Sequence, residues 1–136
     1  MSHKVDPRLE NLAKKVLAKT DIPQDDNYGS VMLILMVISI IISLVRVIQE
    51  CQKNKLANLD ISGQKDLMKS EISNISIRKT WLNQLRLNRI LKRHMSKEDY
   101  VKHGSQLKNA ILECGPELDD EDTTALVNVI NGPQPN

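Results

Sequence analysis

Large aromatic residues are almost absent from this chain. Its 136 residues include no Phe, one Trp and two Tyr. Aromatic side chains bury the most area and usually dominate a core, so a core here must be built from aliphatic residues. Proteins that bind single-stranded nucleic acid usually stack bases on several aromatic rings. The composition therefore argues against that class of protein.

Catalytic and metal-binding patterns are also missing. The two cysteines, Cys51 and Cys114, are too few for a disulfide framework. The three histidines do not form an H-x-x-x-H pair, and the glycine-rich phosphate loops and the G-x-S-x-G nucleophile turn are absent. The acidic run at 119–122 lacks the alternating ligands of a calcium loop. The sequence predicts a protein that is not an enzyme and that needs neither a metal nor another cofactor.

Charge is missing from one long stretch, residues 28–45, which reads YGSVMLILMVISIIISLV and is followed by Arg46. A run of about 18 apolar residues can cross the bilayer core, about 30 Å thick, as a helix. Strands rarely reach this length. The run predicts a single membrane-spanning helix. The structural alternative is a helix buried between the subunits of a larger assembly.

Polar residues in and after the apolar run follow helical spacing. They recur at steps of four and three residues: Ser39, Ser43, Arg46, Glu50 and Lys53. This spacing places them on one face and predicts one continuous helix over residues 31–48 that extends past Arg46. Ser39 and Ser43 form a small-xxx-small pair, which lets another helix approach closely. They are the candidate helix-packing residues for self-association or for a protein partner.

Positive and negative charges lie in different parts of the chain. Residues 46–112 carry 14 basic and 6 acidic side chains, whereas residues 113–136 carry 6 acidic and no basic ones. Blocks of opposite charge can attract each other, or each can bind its own partner.

The densest positive charge lies between Ile72 and Lys97, a segment without any acidic residue. The candidate binding residues for phosphate or another anionic partner are Arg78, Lys79, Arg86, Arg89, Lys92 and Arg93. On a helix most of them share the side opposite Ile77, Leu87 and Leu91. Such a face can neutralise the phosphates of nucleic acid or of anionic lipid. The alternative is a solvated face, or one that pairs with the chain's own acidic segment.

Burying unpaired arginines is costly, so we expect these basic side chains to be exposed. Trp81 is the one large aromatic of the basic segment. We therefore expect Trp81 and Leu85 to point inward as core residues.

Apolar periodicity and helix-stop signals predict an all-α fold, because no segment alternates as a strand does. The expected parts are an amphipathic helix and linker over 1–30, the apolar helix with a charged extension over 31–59, a basic-then-acidic helical domain over 60–132, and a frayed tail over 133–136. The first helix either packs on the rest of the protein or lies on a membrane surface. A turn is expected at 60–63 and a long helix over 64–94, with a possible interruption near 73–76.

These features predict a small protein with a single-pass membrane anchor, whose basic domain binds a partner or an anionic surface. Within twenty residues of residues 31–45, three lysines precede the run and four lysines or arginines follow it, so the positive-inside rule hardly orients it. Two unpaired cysteines favour a cytoplasmic C-terminal domain. The alternatives are a structural subunit of a large assembly, such as a virion or phage particle, and a basic nucleic-acid-binding protein.

Overall fold

The computed structural model describes residues 6–23, 27–78 and 80–132, and in these residues it contains helices and no strand. The helices are α1 (Pro7–Ala18), α2 (Asn27–Ala57), α3 (Ile61–Ile77), α4 (Trp81–His94), α5 (Lys97–Cys114) and α6 (Asp120–Asn131). The prediction of an all-α fold is confirmed.

Most helices are preceded by a residue whose side chain accepts a hydrogen bond from a backbone N–H group of the first turn. These N-caps are Asp6, Asp60, Thr80, Ser96 and Asp119. A cap of this kind contributes about 1 kcal/mol. The turn expected at 60–63 is wrong, because Asp60 Oδ1 accepts from the Gly63 N–H at 2.7 Å and the helix begins at Ile61.

The apolar run lies in α2, which continues well beyond it. The helix passes Arg46 and contains one residue with non-helical backbone angles, Gln52, with φ −116° and ψ 18°. The prediction of one continuous helix over residues 31–48 is therefore confirmed. The helix begins earlier than expected, at Asn27, in the segment that we predicted to be a linker.

One side of α2 forms the centre of the protein. It contacts α1, α3, α4 and α6, and its buried side chains include Val37, Ile38, Ile40, Ile41, Leu44, Val45 and Ile48. All six helices contribute to the same aliphatic core. Burying one such side chain is worth about 1.5–3 kcal/mol, so α2 supplies a large share of the driving force for folding.

The amphipathic stripe of α1 is part of this core. Its five apolar residues are all buried: Leu9, Leu12, Ala13, Val16 and Leu17. Of our two interpretations of this helix, packing against the rest of the protein is confirmed.

The other side of α2 is only partly covered. Val31, Met32 and Leu35 are exposed, and further along the same side come the exposed Arg46 and Glu50. We expected that only partner subunits could enclose this helix outside a membrane. Instead the chain's own helices cover one side, and the uncovered side becomes polar after Leu35. By length and composition, Val31–Gln52 is nevertheless able to cross a membrane, with 22 residues and a mean hydropathy of 2.9 over an 18-residue window.

The helix expected over 64–94 is divided into α3 and α4. The break lies after Ile77, where Arg78 adopts φ −94° and ψ 83° and Thr80 caps the next helix. Our expected interruption near 73–76 is misplaced by a few residues. Since neither Gly nor Pro marks the break, only the capping threonine could have located it.

Candidate functional site

The core side of α4 consists of Leu87, Ile90 and Leu91. At about 100° per residue, the residues farthest from this row form a second surface, which we call the outer face of α4. It comprises Trp81, Leu82, Leu85, Arg89, Lys92 and Arg93, all of them exposed. The outer face of α4 is therefore apolar near the start of the helix and basic near its end.

The expected inward orientation of Trp81 and Leu85 is wrong. Trp81 is 77% exposed and Leu85 is 38% exposed. Around the helix, Leu85 lies about 140° and Trp81 about 100° from the midpoint of Leu87 and Leu91, and Trp81 is the first residue of α4. We also predicted that Ile77 lies on the apolar side opposite the basic residues, and this is wrong. It is 73% exposed, because α3 ends there and the chain turns.

The predicted basic residues are mostly at the surface. Arg78, Arg89, Lys92 and Arg93 are exposed, and Arg86 is half-buried. The remaining candidate, Lys79, lies outside the described residues. Within the described ranges, none of the placed basic candidates forms an ion pair with a carboxylate.

Lys92 has an aromatic neighbour instead of an acidic one. Its Nζ atom lies 5.4 Å from the centroid of the Tyr100 ring on α5. This is a cation–π contact, which leaves the positive charge in place. The contact connects the basic end of the outer face of α4 to the next helix.

The acidic segment binds other lysines. Lys15 Nζ lies 3.3 Å from Asp119 Oδ2 and 3.2 Å from Asp122 Oδ2. Lys19 pairs with Glu117 at 3.2 Å, and Lys65 pairs with Asp120 at 2.7 Å. The acidic segment thus holds α6 and the turn before it to α1 and α3. Among the residues that the structure describes, it does not neutralise the basic residues of α4.

These contacts, together with burial, shift the pKa values of several groups. The hydrogen bond to Glu117 raises the pKa of Lys19. The pKa of Asp119 is lowered, chiefly because its carboxylate accepts the backbone N–H of Asp122 and also binds Lys15. Burial raises the pKa of the Cys114 thiol to about 11. Cys51 is exposed.

The two candidate helix-packing serines have different neighbours. Ser43 Oγ lies 2.9 Å from His94 Nε2, which connects α2 to α4 within the chain. Ser39 Oγ donates to the Leu35 carbonyl of its own helix at 2.9 Å. Their role in binding a second chain stays a prediction. Sequence reasoning missed the partner His94, although its position at the end of the basic segment was visible.

No protein-family model, curated protein or solved structure matches this chain. In the part of the chain that the structure describes, no group of three or more His, Cys, Asp or Glu side chains is arranged so that it could hold a metal ion.

Proposed function

We propose that this protein is a non-enzymatic helical protein that docks on anionic membrane surfaces through the outer face of α4. The observation that carries the proposal is the composition of this face. Three large apolar side chains, Trp81, Leu82 and Leu85, are exposed beside basic side chains without acidic partners in the described chain. A solvated basic face would not need the apolar residues.

Helices that lie in the membrane interface have this composition. Their apolar side chains enter the boundary between head groups and acyl chains, while lysine and arginine bind the lipid phosphates. Tryptophan is enriched at this depth, and Trp81 is placed at the apolar end of the face. Each basic residue near an anionic surface contributes about 1 kcal/mol of binding free energy at physiological salt.

Nucleic acid is a less suitable partner for this face. Its phosphates would also attract Arg89, Lys92 and Arg93, but exposed leucines gain nothing beside a phosphate backbone. Single strands are usually held by several stacked aromatic rings, and α4 offers one. Nucleic-acid binding is therefore an outcome to be tested against the membrane proposal.

The burial of α2 supports peripheral attachment. A spanning α2 would have to leave α1, α3, α4 and α6, and would thereby expose the aliphatic core that it shares with them. A single-pass anchor with a cytoplasmic C-terminal domain remains the second candidate, supported by the length and hydropathy of Val31–Gln52. Washing isolated membranes with alkaline carbonate separates the two. Release into the supernatant supports docking, whereas retention in the pellet supports the anchor.

Vesicle sedimentation tests the docking face. The variant carries Arg89→Gln, Lys92→Gln and Arg93→Gln. The matched control carries Lys14→Gln, Lys69→Gln and Lys102→Gln, which removes the same charge from exposed positions on α1, α3 and α5. We expect the α4 variant to bind phosphatidylserine-containing vesicles about 100-fold more weakly at low salt. The control should bind nearly as the parent does.

The same assay has outcomes that contradict the proposal. Equal losses in both variants would mean that only net charge matters. Undiminished binding by the α4 variant would exclude its outer face. Tight, salt-sensitive binding to duplex DNA without binding to vesicles would favour the nucleic-acid interpretation instead.

A further inference from the structure

A cavity of about 400 Å³ lies where the end of α2 meets the end of α3 and the start of α4. Leu44, Ile48 and Ile75 contribute apolar lining, and Arg78, Arg86 and Glu71 contribute charged lining. Small-molecule sites are typically concave, mostly apolar and equipped with a few polar groups, with volumes of about 300–1,000 Å³. This cavity falls within that range and is separate from the outer face of α4.

We propose that this cavity binds an amphiphilic phosphate, that is, a phosphate monoester with a short aliphatic chain. The two arginines of the lining form no ion pair within the described residues, with Glu71 or with any other carboxylate. Guanidinium groups suit phosphate oxygens because they donate paired hydrogen bonds. The aliphatic chain of the ligand covers the apolar lining formed by α2 and α3.

A second feature of the cavity is the local structure at Gln52. Gln52, which lines it, has a buried side-chain oxygen without a hydrogen-bond partner. It is also the residue at which the backbone of α2 departs from helical angles. A buried acceptor without a donor is destabilising.

The alkylation rate of Cys51 reports directly whether a ligand occupies the cavity. Its thiol is exposed and lines the cavity, so a bound ligand should slow its alkylation. The other cysteine, Cys114, is buried and lies outside this cavity, and its pKa is raised to about 11 by burial. Because the thiolate is the reactive form, Cys114 should react slowly whether or not the ligand is present.

The experiment measures the alkylation rate of Cys51 by mass spectrometry in the full chain. The probes are decyl phosphate, inorganic phosphate and decanol, each below the concentration at which it aggregates. We expect decyl phosphate to protect Cys51 saturably, at concentrations at least about tenfold lower than either other probe. Equal protection by decanol, equal protection by inorganic phosphate, or no protection by decyl phosphate would overturn the proposal. This comparison uses the wild-type chain and does not depend on a variant that folds.

Two variants assign the effect to the cavity and separate it from membrane docking. Arg78→Gln with Arg86→Gln should raise the protective concentration of decyl phosphate at least about tenfold. Arg89→Gln with Arg93→Gln, on the outer face of α4, should leave it unchanged while weakening binding to vesicles. Loss of protection in the outer-face variant, or full protection in the cavity variant, would overturn the assignment. Either proposal can therefore fail while the other stands.

Discussion

Asp122 has a buried carboxylate in the first turn of α6. Its Oδ2 atom accepts the backbone N–H of Asp119 and an N–H of Lys15, each at 3.2 Å. The first contact completes a capping box, since Asp119 Oδ1 in turn accepts the Asp122 N–H at 2.8 Å. One side chain thus caps the start of α6 and binds α6 to α1.

Replacing Asp122 with Ala should lower the free energy of unfolding by about 1–3 kcal/mol, because a cap and a charged hydrogen bond are lost together. Urea denaturation measures this. Glu121→Ala, an exposed neighbour in the same turn, is the control and should change stability by about 0.5 kcal/mol or less. Equal effects of the two substitutions would mean that the contacts of Asp122 contribute little.

The lowered pKa of Asp119 predicts a dependence of stability on pH. Because the folded state lowers this pKa below its ordinary value of 3.8, the stabilisation is complete above 3.8. It is lost as the pH falls through the lowered value. Urea midpoints should therefore decline in this acid range, and less steeply in Asp119→Asn than in the parent chain. Asp6, whose pKa is lowered chiefly by the side-chain hydrogen bond from Arg8, contributes a remaining slope in both. Identical slopes would contradict the role of Asp119.

At the scale of the helix, one side of α2 is buried in the core and the other is partly exposed, so the two sides should tolerate different substitutions. Ile40 is fully buried against neighbouring helices, whereas the adjacent Ser39 lies on the partly uncovered side. Both positions lie near the middle of residues 31–48. They therefore distinguish a core helix, for which the two sides differ, from a membrane span, for which depth matters more.

We expect Ser39→Asp to change the free energy of unfolding by about 1 kcal/mol or less. Ile40→Asp should cost several kcal/mol, because it buries a carboxylate without a partner. If α2 spans a membrane instead, either substitution costs insertion about 2.5–3.5 kcal/mol. Circular dichroism of the two purified variants and their recovery in membranes are the measurements. Equal losses of membrane insertion in both would contradict the core-helix account.

The elements that sequence predicted well are those with strong local signals. The amphipathic helix expected within residues 1–30 and the continuous helix expected over 31–48 are both present. The break between α3 and α4 carries only Thr80 as a signal, in a segment without Gly or Pro. Local periodicity therefore favoured one long helix across the break.

The candidate site was predictable in part. The exposure of Arg89 and Arg93 follows from the cost of desolvating charges. The orientation of Trp81 does not follow from its size, because position around the helix axis decides which side chains reach the core. The contact between Ser43 and His94 joins residues 51 positions apart, and no local pattern specifies such a pair.

At the scale of the whole molecule, charge and hydrophobicity are arranged around α2. The acidic segment and the lysines of α1 and α3 neutralise each other, while the basic residues of α4 keep their charge on another surface. The aliphatic side of α2 forms the core that holds these surfaces together. The outer face of α4 combines exposed apolar area with positive charge. We therefore propose that the protein docks on anionic lipid through this face.

The fluorescence of Trp81 tests this claim most directly, because Trp81 is the single tryptophan of the chain and lies on the docking face. In the free protein its emission should be that of a solvent-exposed indole and should be quenched readily by acrylamide. Vesicles that contain phosphatidylserine should shift the emission to the blue and protect it from acrylamide. Pure phosphatidylcholine should not do so, and added salt should reverse the change. An unchanged emission spectrum of protein that sediments with anionic vesicles would contradict docking through the outer face of α4.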